Sequence, residues 1–150
     1  VLALCLTVAS CAYGPLTNDG RLRVLRPQSL SVATLPVQIG WSWRGPRRPP
    51  TFALFVDRTP IRPGQTLRAV VPSGDPCLVT PGCPDATWLR EHGVFVVSGT
   101  EASIPAVAVP GGTAGRDDPP VHQVTIVLLD GRGRRVSEAA YPVLFRVAVQ

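Results

Sequence analysis

Methionine and lysine are both missing from this 150-residue chain, and each absence removes a class of functional site. Without lysine there is no Ser-x-x-Lys catalytic pair, and the serines form no Gly-x-Ser-x-Gly elbow. Without methionine, a copper site of the cupredoxin kind lacks its usual axial ligand. The only histidines are His92, expected at the end of a helix, and His122, expected half-buried at the start of a strand. The residues therefore predict a protein that is not an enzyme and that binds neither a metal nor a cofactor.

Charged residues are also scarce. They make up 17% of the chain, against 45% for apolar residues, and this balance favours a folded core over disorder. The chain has 17 prolines and 14 glycines spread along its length, a spacing that long helices do not tolerate. Many short strands joined by turns do tolerate it.

The clearest strand signal is an alternation of apolar and polar residues. Val37, Ile39, Trp41 and Trp43 fall on one face of an extended segment, which predicts a half-buried strand. A nearly continuous apolar run follows and predicts a central strand. The predicted strands cover residues 21–25, 37–44, 52–56, 67–71, 93–97, 103–109, 122–129 and 135–149.

Three connections carry recognisable turn or cap chemistry. Asp85 is placed to cap a helical turn that ends at His92, with Gly93 just beyond it. Asp130-Gly131 between two β-branched runs predicts a hairpin. Residues 110–120 lack apolar periodicity and are expected to form a loop.

These elements predict an all-β fold of about seven to nine strands with one short helical turn. The arrangement over residues 22–149 resembles an immunoglobulin-like β-sandwich, because a tryptophan strand comes early and a hairpin closes the chain. The resemblance is architectural, since the Cys…Trp…Cys pattern of antibody domains is missing. A small barrel is the alternative.

The start of the chain carries a more specific motif. Val8-Ala9-Ser10-Cys11 follows an apolar run and resembles the lipobox of a bacterial lipoprotein signal peptide. This resemblance implies that residues 1–10 are a truncated signal peptide, that residues 11–20 are a tether lipidated on Cys11, and that residues 21–150 are one β-sandwich domain. The arginine-only, alanine-rich and proline-rich composition is similar to that of actinobacterial envelope lipoproteins. An ordinary secretory signal cut elsewhere and the end of a transmembrane helix are the other interpretations.

The lipobox interpretation also divides the four cysteines. Cys5 would leave with the signal and Cys11 would carry the lipid, so Cys77 and Cys83 are left to pair. In an oxidising compartment a disulfide is the expected state. Zinc is disfavoured because two cysteines and a distant His92 do not complete a ligand set. The Cys-x5-Cys spacing also differs from that of a redox motif.

The net charge of +5 comes from arginines that concentrate in two loops. These clusters are Arg44, Arg47 and Arg48, followed by Arg132, Arg134 and Arg135. Arginines beside a bilayer would attract anionic headgroups, whereas the alternative is a pair of solvated loops. No nucleic-acid motif accompanies the charge.

The sequence predicts an extracytoplasmic, lipid-anchored protein that acts through contact with an envelope protein or as a structural support. The candidate partner contacts are Trp88, Arg90, Arg47 and Arg48. Binding of an envelope glycan or small ligand in a cleft near the disulfide loop is the alternative. An unrecognised hydrolase is a third interpretation.

Overall fold

The chain is all-β, as predicted, and its strands form two sheets. A computed structural model describes residues 19–45, 50–107 and 119–148. The strands within these ranges are β1 (Leu22–Arg26), β2 (Val32–Ala33), β3 (Val37–Trp43), β4 (Thr51–Val56), β5 (Val94–Val97), β6 (Glu101–Ile104), β7 (Val121–Leu129) and β8 (Tyr141–Val147). One sheet has the order β1-β3-β6 and the other β2-β8-β7-β4-β5. The predicted loop at 110–120 falls largely outside the described residues.

The alternation predicted in β3 is confirmed. β3 is the middle strand of the smaller sheet, antiparallel to β1 with Leu22 opposite Trp43, and antiparallel to β6 with Val37 opposite Ile104. Val37 and Ile39 are buried on the inner face, while Gln38 between them is exposed. The period of two thus puts one face of this strand in the core.

Residues 52–56 of β4 are all apolar, because this part of the strand is buried on both faces. It lies inside the larger sheet, antiparallel to β5 and β7. Phe52 and Leu54 face the core between the sheets, whereas Ala53 and Phe55 face a second apolar cluster on the outer side. A strand covered on both faces is typically a nearly continuous apolar run.

The outer cluster is covered by residues 57–93, which connect β4 to β5. Ile61, Val70 and Leu89 from this segment pack on Phe55. A strand predicted at 67–71 is wrong, because Leu67–Val70 forms a 3-10 helix. Its period of three residues directs Leu67 and Val70 to the same side, onto the cluster, and no neighbouring strand is needed.

The capped helix predicted before β5 is confirmed. Helix α1 spans Ala86–Glu91, and a carboxylate oxygen of Asp85 accepts a hydrogen bond from the Trp88 amide at 2.8 Å. Gly93 follows with φ of +73° and lies against Val56, where an added Cβ would come within 3.1 Å of the carbonyl oxygen. Glycine at this position allows the chain to turn directly from the helix into β5.

The closing hairpin forms, but its second strand begins later than predicted. β7 and β8 pair antiparallel from Val121 opposite Arg146 to Ile126 opposite Tyr141. Residues 130–140 make a longer connection, in which Arg135 forms only an isolated antiparallel bridge with Leu129. The sequence also missed β2, two residues that pair parallel with the end of β8.

Candidate functional site

The strand register gathers several connections at one end of the protein, which we call the N-terminal pole. It comprises residues 19–21, the start of the β3–β4 connection at 44–45, and the turn 130–135. Leu22 lies opposite Trp43, and Thr51 lies opposite Leu129, so these connections leave the sheets at the same end. The opposite end, where β1, β4 and β8 finish, is called the distal pole.

Both predicted arginine loops belong to the N-terminal pole. Arg44 is exposed, and its amide donates to the carbonyl of Arg21 at 2.8 Å. Arg132 and Arg134 are also exposed, and their amides donate to one oxygen of Asp130 at 2.8 and 2.9 Å. Arg47 and Arg48 lie outside the described residues. The fold therefore brings together charges from segments almost ninety positions apart in the sequence.

Arg135 behaves differently from its neighbours, because it is only 5% exposed. Its guanidinium donates to the carbonyl of Ile61 at 2.7 Å and to three carbonyls of the same connection, those of Ser137, Glu138 and Ala139. Burial lowers the pKa of this guanidinium from its ordinary value. Arg135 therefore fixes the base of the turn that presents Arg132 and Arg134.

The first described residues are tied to the larger sheet by a polar network. The hydroxyl of the buried Tyr141 donates to Asp19, and Arg21 also donates to Asp19. The hydrogen bond from Arg21 lowers the pKa of Asp19 to about 2, and burial raises the pKa of Tyr141 to about 12. The guanidinium of Arg21 also lies 5.8 Å from the ring centre of Trp43. The chain thus enters the fold at a defined point.

The predicted Cys77–Cys83 disulfide is present, with a Cα–Cα distance of 5.2 Å. Cys77 is buried. The side chain of Arg68 donates to the carbonyls of Leu78 and Cys83. The disulfide loop is thereby closed and attached to the 3-10 helix that covers the outer cluster.

Trp88 lies in the predicted neighbourhood of the disulfide but is engaged within the protein. Its indole packs on the outer cluster and stacks on the ring of His92, with 3.6 Å between centroids and 12° between planes. His92 Nδ1 is 2.7 Å from the Trp88 carbonyl oxygen. Arg90 is exposed on the same helix. One face of the indole is therefore occupied by the imidazole.

His122 is more deeply buried than predicted, at 2% exposure, and it pairs with Asp57. Its Nδ1 lies 2.7 Å from a carboxylate oxygen of Asp57, whose other oxygen accepts from the amide of Gln123. The adjacent Arg58 makes no ion pair with Asp57 in the described part of the chain. Arg58 instead donates to the carbonyls of His92 and Val70. His122 Nε2 has no hydrogen-bond partner among the described residues.

The described part of the chain contains no group of three or more His, Cys, Asp or Glu side chains placed to hold a metal ion. Its helices are also too short and insufficiently apolar to cross a membrane.

Sequence reasoning missed an apolar strip that extends from the end of β1, through β2, almost to the start of β3. Four exposed apolar side chains share this short segment: Leu25, Leu30, Val32 and Leu35, at 57%, 54%, 60% and 41% exposure. The Leu30 amide donates to the Leu144 carbonyl at 2.7 Å, which holds the strip along β8 at the edge of the larger sheet. The sequence feature that could have indicated this strip is the irregular spacing of leucine and valine over residues 25–35, which fits neither a strand nor a helix period.

No protein-family description, curated protein or solved structure matches this chain.

Proposed function

We propose that this protein is a non-enzymatic cell-envelope lipoprotein, anchored through Cys11, whose β-structure is an immunoglobulin-like sandwich that binds an envelope protein. The apolar strip is the proposed contact surface. The glycan-binding alternative has less support, because stacking on His92 and packing on the outer cluster both engage Trp88.

The topology supports an immunoglobulin-like arrangement. The smaller sheet has the order β1-β3-β6, and the larger has the order β2-β8-β7-β4-β5. Strand β1 belongs to the smaller sheet, and the short β2 crosses to the larger sheet, where it pairs parallel with β8. Consecutive strands that exchange sheets over one shared core are typical of this class.

The apolar strip is the observation that carries the proposed binding role. Scattered exposed apolar residues are ordinary, but these four lie within eleven positions, with Leu25 on the edge strand β1 of the smaller sheet and Val32 on the edge strand β2 of the larger sheet. Leu30 also holds a φ of 61°, a left-handed conformation that costs leucine about 1 kcal/mol. Gln28 and Ser29, which lie between Leu25 and Leu30, are also exposed, so the strip combines apolar and polar side chains, as protein-binding surfaces do.

Site-specific photocrosslinking in the native envelope tests this surface. We place p-benzoylphenylalanine at Leu35, within the strip, or at Val79, which is 86% exposed in the disulfide loop. The Leu35 probe is expected to give one discrete protein adduct that the Val79 probe does not give. Adding Val32→Asp should abolish the Leu35 adduct, whereas adding Val79→Asp should leave it intact. Identical adducts from both probes would contradict the proposed surface.

Mass spectrometry of the protein extracted from membranes tests the anchor independently. We expect Cys11 at the mature N-terminus with a diacylglyceryl group on its sulfur. The two acyl chains of that group are enough for stable anchoring, and acylation of the freed amine would add a third. A free Cys11 thiol, or another N-terminus, would remove the anchor while leaving the crosslinking result to be judged by itself.

A further inference from the structure

We infer that the N-terminal pole is a membrane-docking surface that lies on anionic phospholipid headgroups. This inference rests on the proposed lipid anchor, because the anchor determines which end of the protein is held near the bilayer. It assigns a role to the arginine loops and an orientation to the proposed binding surface.

The charge of the pole comes from four exposed arginines supplied by separate segments. They are Arg44, Arg62, Arg132 and Arg134. Arg62 belongs to this group because the Ile61 carbonyl accepts from Arg135, and the Gly64 amide donates to the Arg135 carbonyl at 2.8 Å. The sequence alone suggested two clusters, whereas the fold adds a third segment to them.

The acidic groups of the same region do not cancel this charge. Asp19 is engaged by Arg21 and Tyr141, whereas Asp130 keeps its negative charge beside Arg132 and Arg134 and offsets one of their two positive charges. Glu138 is exposed and interacts electrostatically with the buried Arg135, so it reduces the local charge by one. Positive charge therefore stays in excess.

The turn that carries Arg132 and Arg134 is held in place before any membrane contact. The buried guanidinium of Arg135 binds four carbonyls beneath it, and the Arg135 amide donates to the Gln65 carbonyl at 2.9 Å. A surface that is already ordered loses little conformational entropy on binding.

The length of the tether makes contact possible at this pole. Eight residue steps separate Cys11 from Asp19, so a fully extended chain reaches about 28 Å. Asp19 is fixed at the N-terminal pole by Tyr141. Screening limits headgroup attraction to about 8 Å at physiological salt, so the arginines act only when the pole approaches the surface. The tether allows that approach. When the N-terminal pole lies on the membrane, the apolar strip lies toward the distal pole, where β1 and β8 end.

Vesicle binding by an unlipidated full-length chain tests the docking surface. In a Cys11→Ser background, we compare vesicles of phosphatidylcholine with vesicles containing equal parts of phosphatidylglycerol and phosphatidylcholine. We expect preferential binding to the anionic vesicles. Arg44→Glu and Arg132→Glu should each weaken that binding at least about five-fold, the equivalent of ~1 kcal/mol per basic residue. Raising the salt concentration should weaken it further.

Arg90→Glu is the matched control, because it makes the same change of charge on α1, which leads into the distal end of β5. It should reduce binding less than two-fold. Thermal unfolding verifies that each variant is folded. If Arg132→Glu does not fold, Arg44→Glu alone tests the docking surface. Equal binding by all three variants, or no preference for anionic vesicles, would overturn the inference. If mass spectrometry finds Cys11 lipidated but vesicle binding does not depend on the arginines, only the docking surface is refuted. If vesicle binding depends on the arginines but Cys11 carries no lipid, only the anchor is refuted.

Discussion

Trp41 and Phe52 meet edge to face across the two sheets, with their ring centroids 5.2 Å apart and their planes at 74°. Trp43 contacts the same phenylalanine at 5.6 Å. Phe52 of β4 thus contacts both tryptophans of β3. These contacts make the core continuous from one sheet to the other.

Phe52→Ala should therefore lower the free energy of unfolding by about 3–5 kcal/mol. The substitution leaves a cavity against both indoles, and the two rings cannot both move in to fill it. Urea denaturation measures this loss. Leu25→Ala, on the exposed strip, is the control and should change stability by less than about 0.5 kcal/mol. Equal losses in the two variants would mean that Phe52 does not join the sheets.

Arg135→Ala should destabilise the protein by about 3 kcal/mol, because it leaves several buried carbonyls without donors. Arg134→Ala, one residue earlier but exposed, should change stability by less than about 0.5 kcal/mol. Chemical denaturation of the two variants gives the comparison. If Arg134→Ala were the more harmful change, the assignment of Arg135 as the buried residue would be wrong.

Asp19 makes stability depend on acid pH. Its pKa is about 2 in the folded protein, against an ordinary value of 3.8, so the folded state favours the carboxylate. The resulting stability is fully present above about pH 4 and is lost as the pH falls through 2. Because the group is substantially exposed, we predict the direction and pH range only. The urea midpoint of Asp19→Asn should change less between pH 4 and pH 2 than that of the unsubstituted protein.

Tyr141→Phe provides the complementary test of this network. It removes the hydroxyl donor to Asp19, so the pKa of Asp19 should rise toward its ordinary value. The acid dependence should weaken while the ring continues to fill the core. An unchanged acid profile in both variants would show that the Asp19 interactions do not contribute to stability.

Removing the disulfide should cost about 2 kcal/mol by the chain-entropy estimate for a short loop. Cys77→Ser together with Cys83→Ser measures this by denaturation, and the unsubstituted protein with reductant should lose the same amount. Since the loop is attached to the 3-10 helix through Arg68, hydrogen exchange should increase first over residues 67–83. Uniform acceleration across β4 and β7 would contradict this local effect.

Local patterns predicted the elements whose formation depends on neighbouring residues. The alternation in β3 defined a buried face, Asp85 and Gly93 delimited α1, and Asp130-Gly131 positioned the hairpin turn. The same reasoning failed at Leu67–Val70, because an apolar run is compatible with a strand or with a 3-10 helix. The outer cluster beneath it determines which one forms.

The candidate site was less predictable than the fold. The sequence marked Arg132, Arg134 and Arg135 as one cluster. Arg135 is nevertheless buried, and its guanidinium donates to backbone carbonyls that include the one of Ile61, 74 positions away. The strip around Leu30 was missed, because its exposure depends on how β2 pairs with β8. Neither property follows from residue spacing.

The sequence by itself determined the β-class and the boundaries set by caps and turns, because each depends on residue type and short spacing. It also predicted the pairing of Cys77 with Cys83, once Cys5 and Cys11 were assigned to the signal peptide and the lipid. The tertiary structure decided which arginines share a pole, which one is buried and which apolar residues stay exposed. These outcomes depend on strand order and register, which join segments far apart in the chain and are fixed only when the two sheets close over a common core.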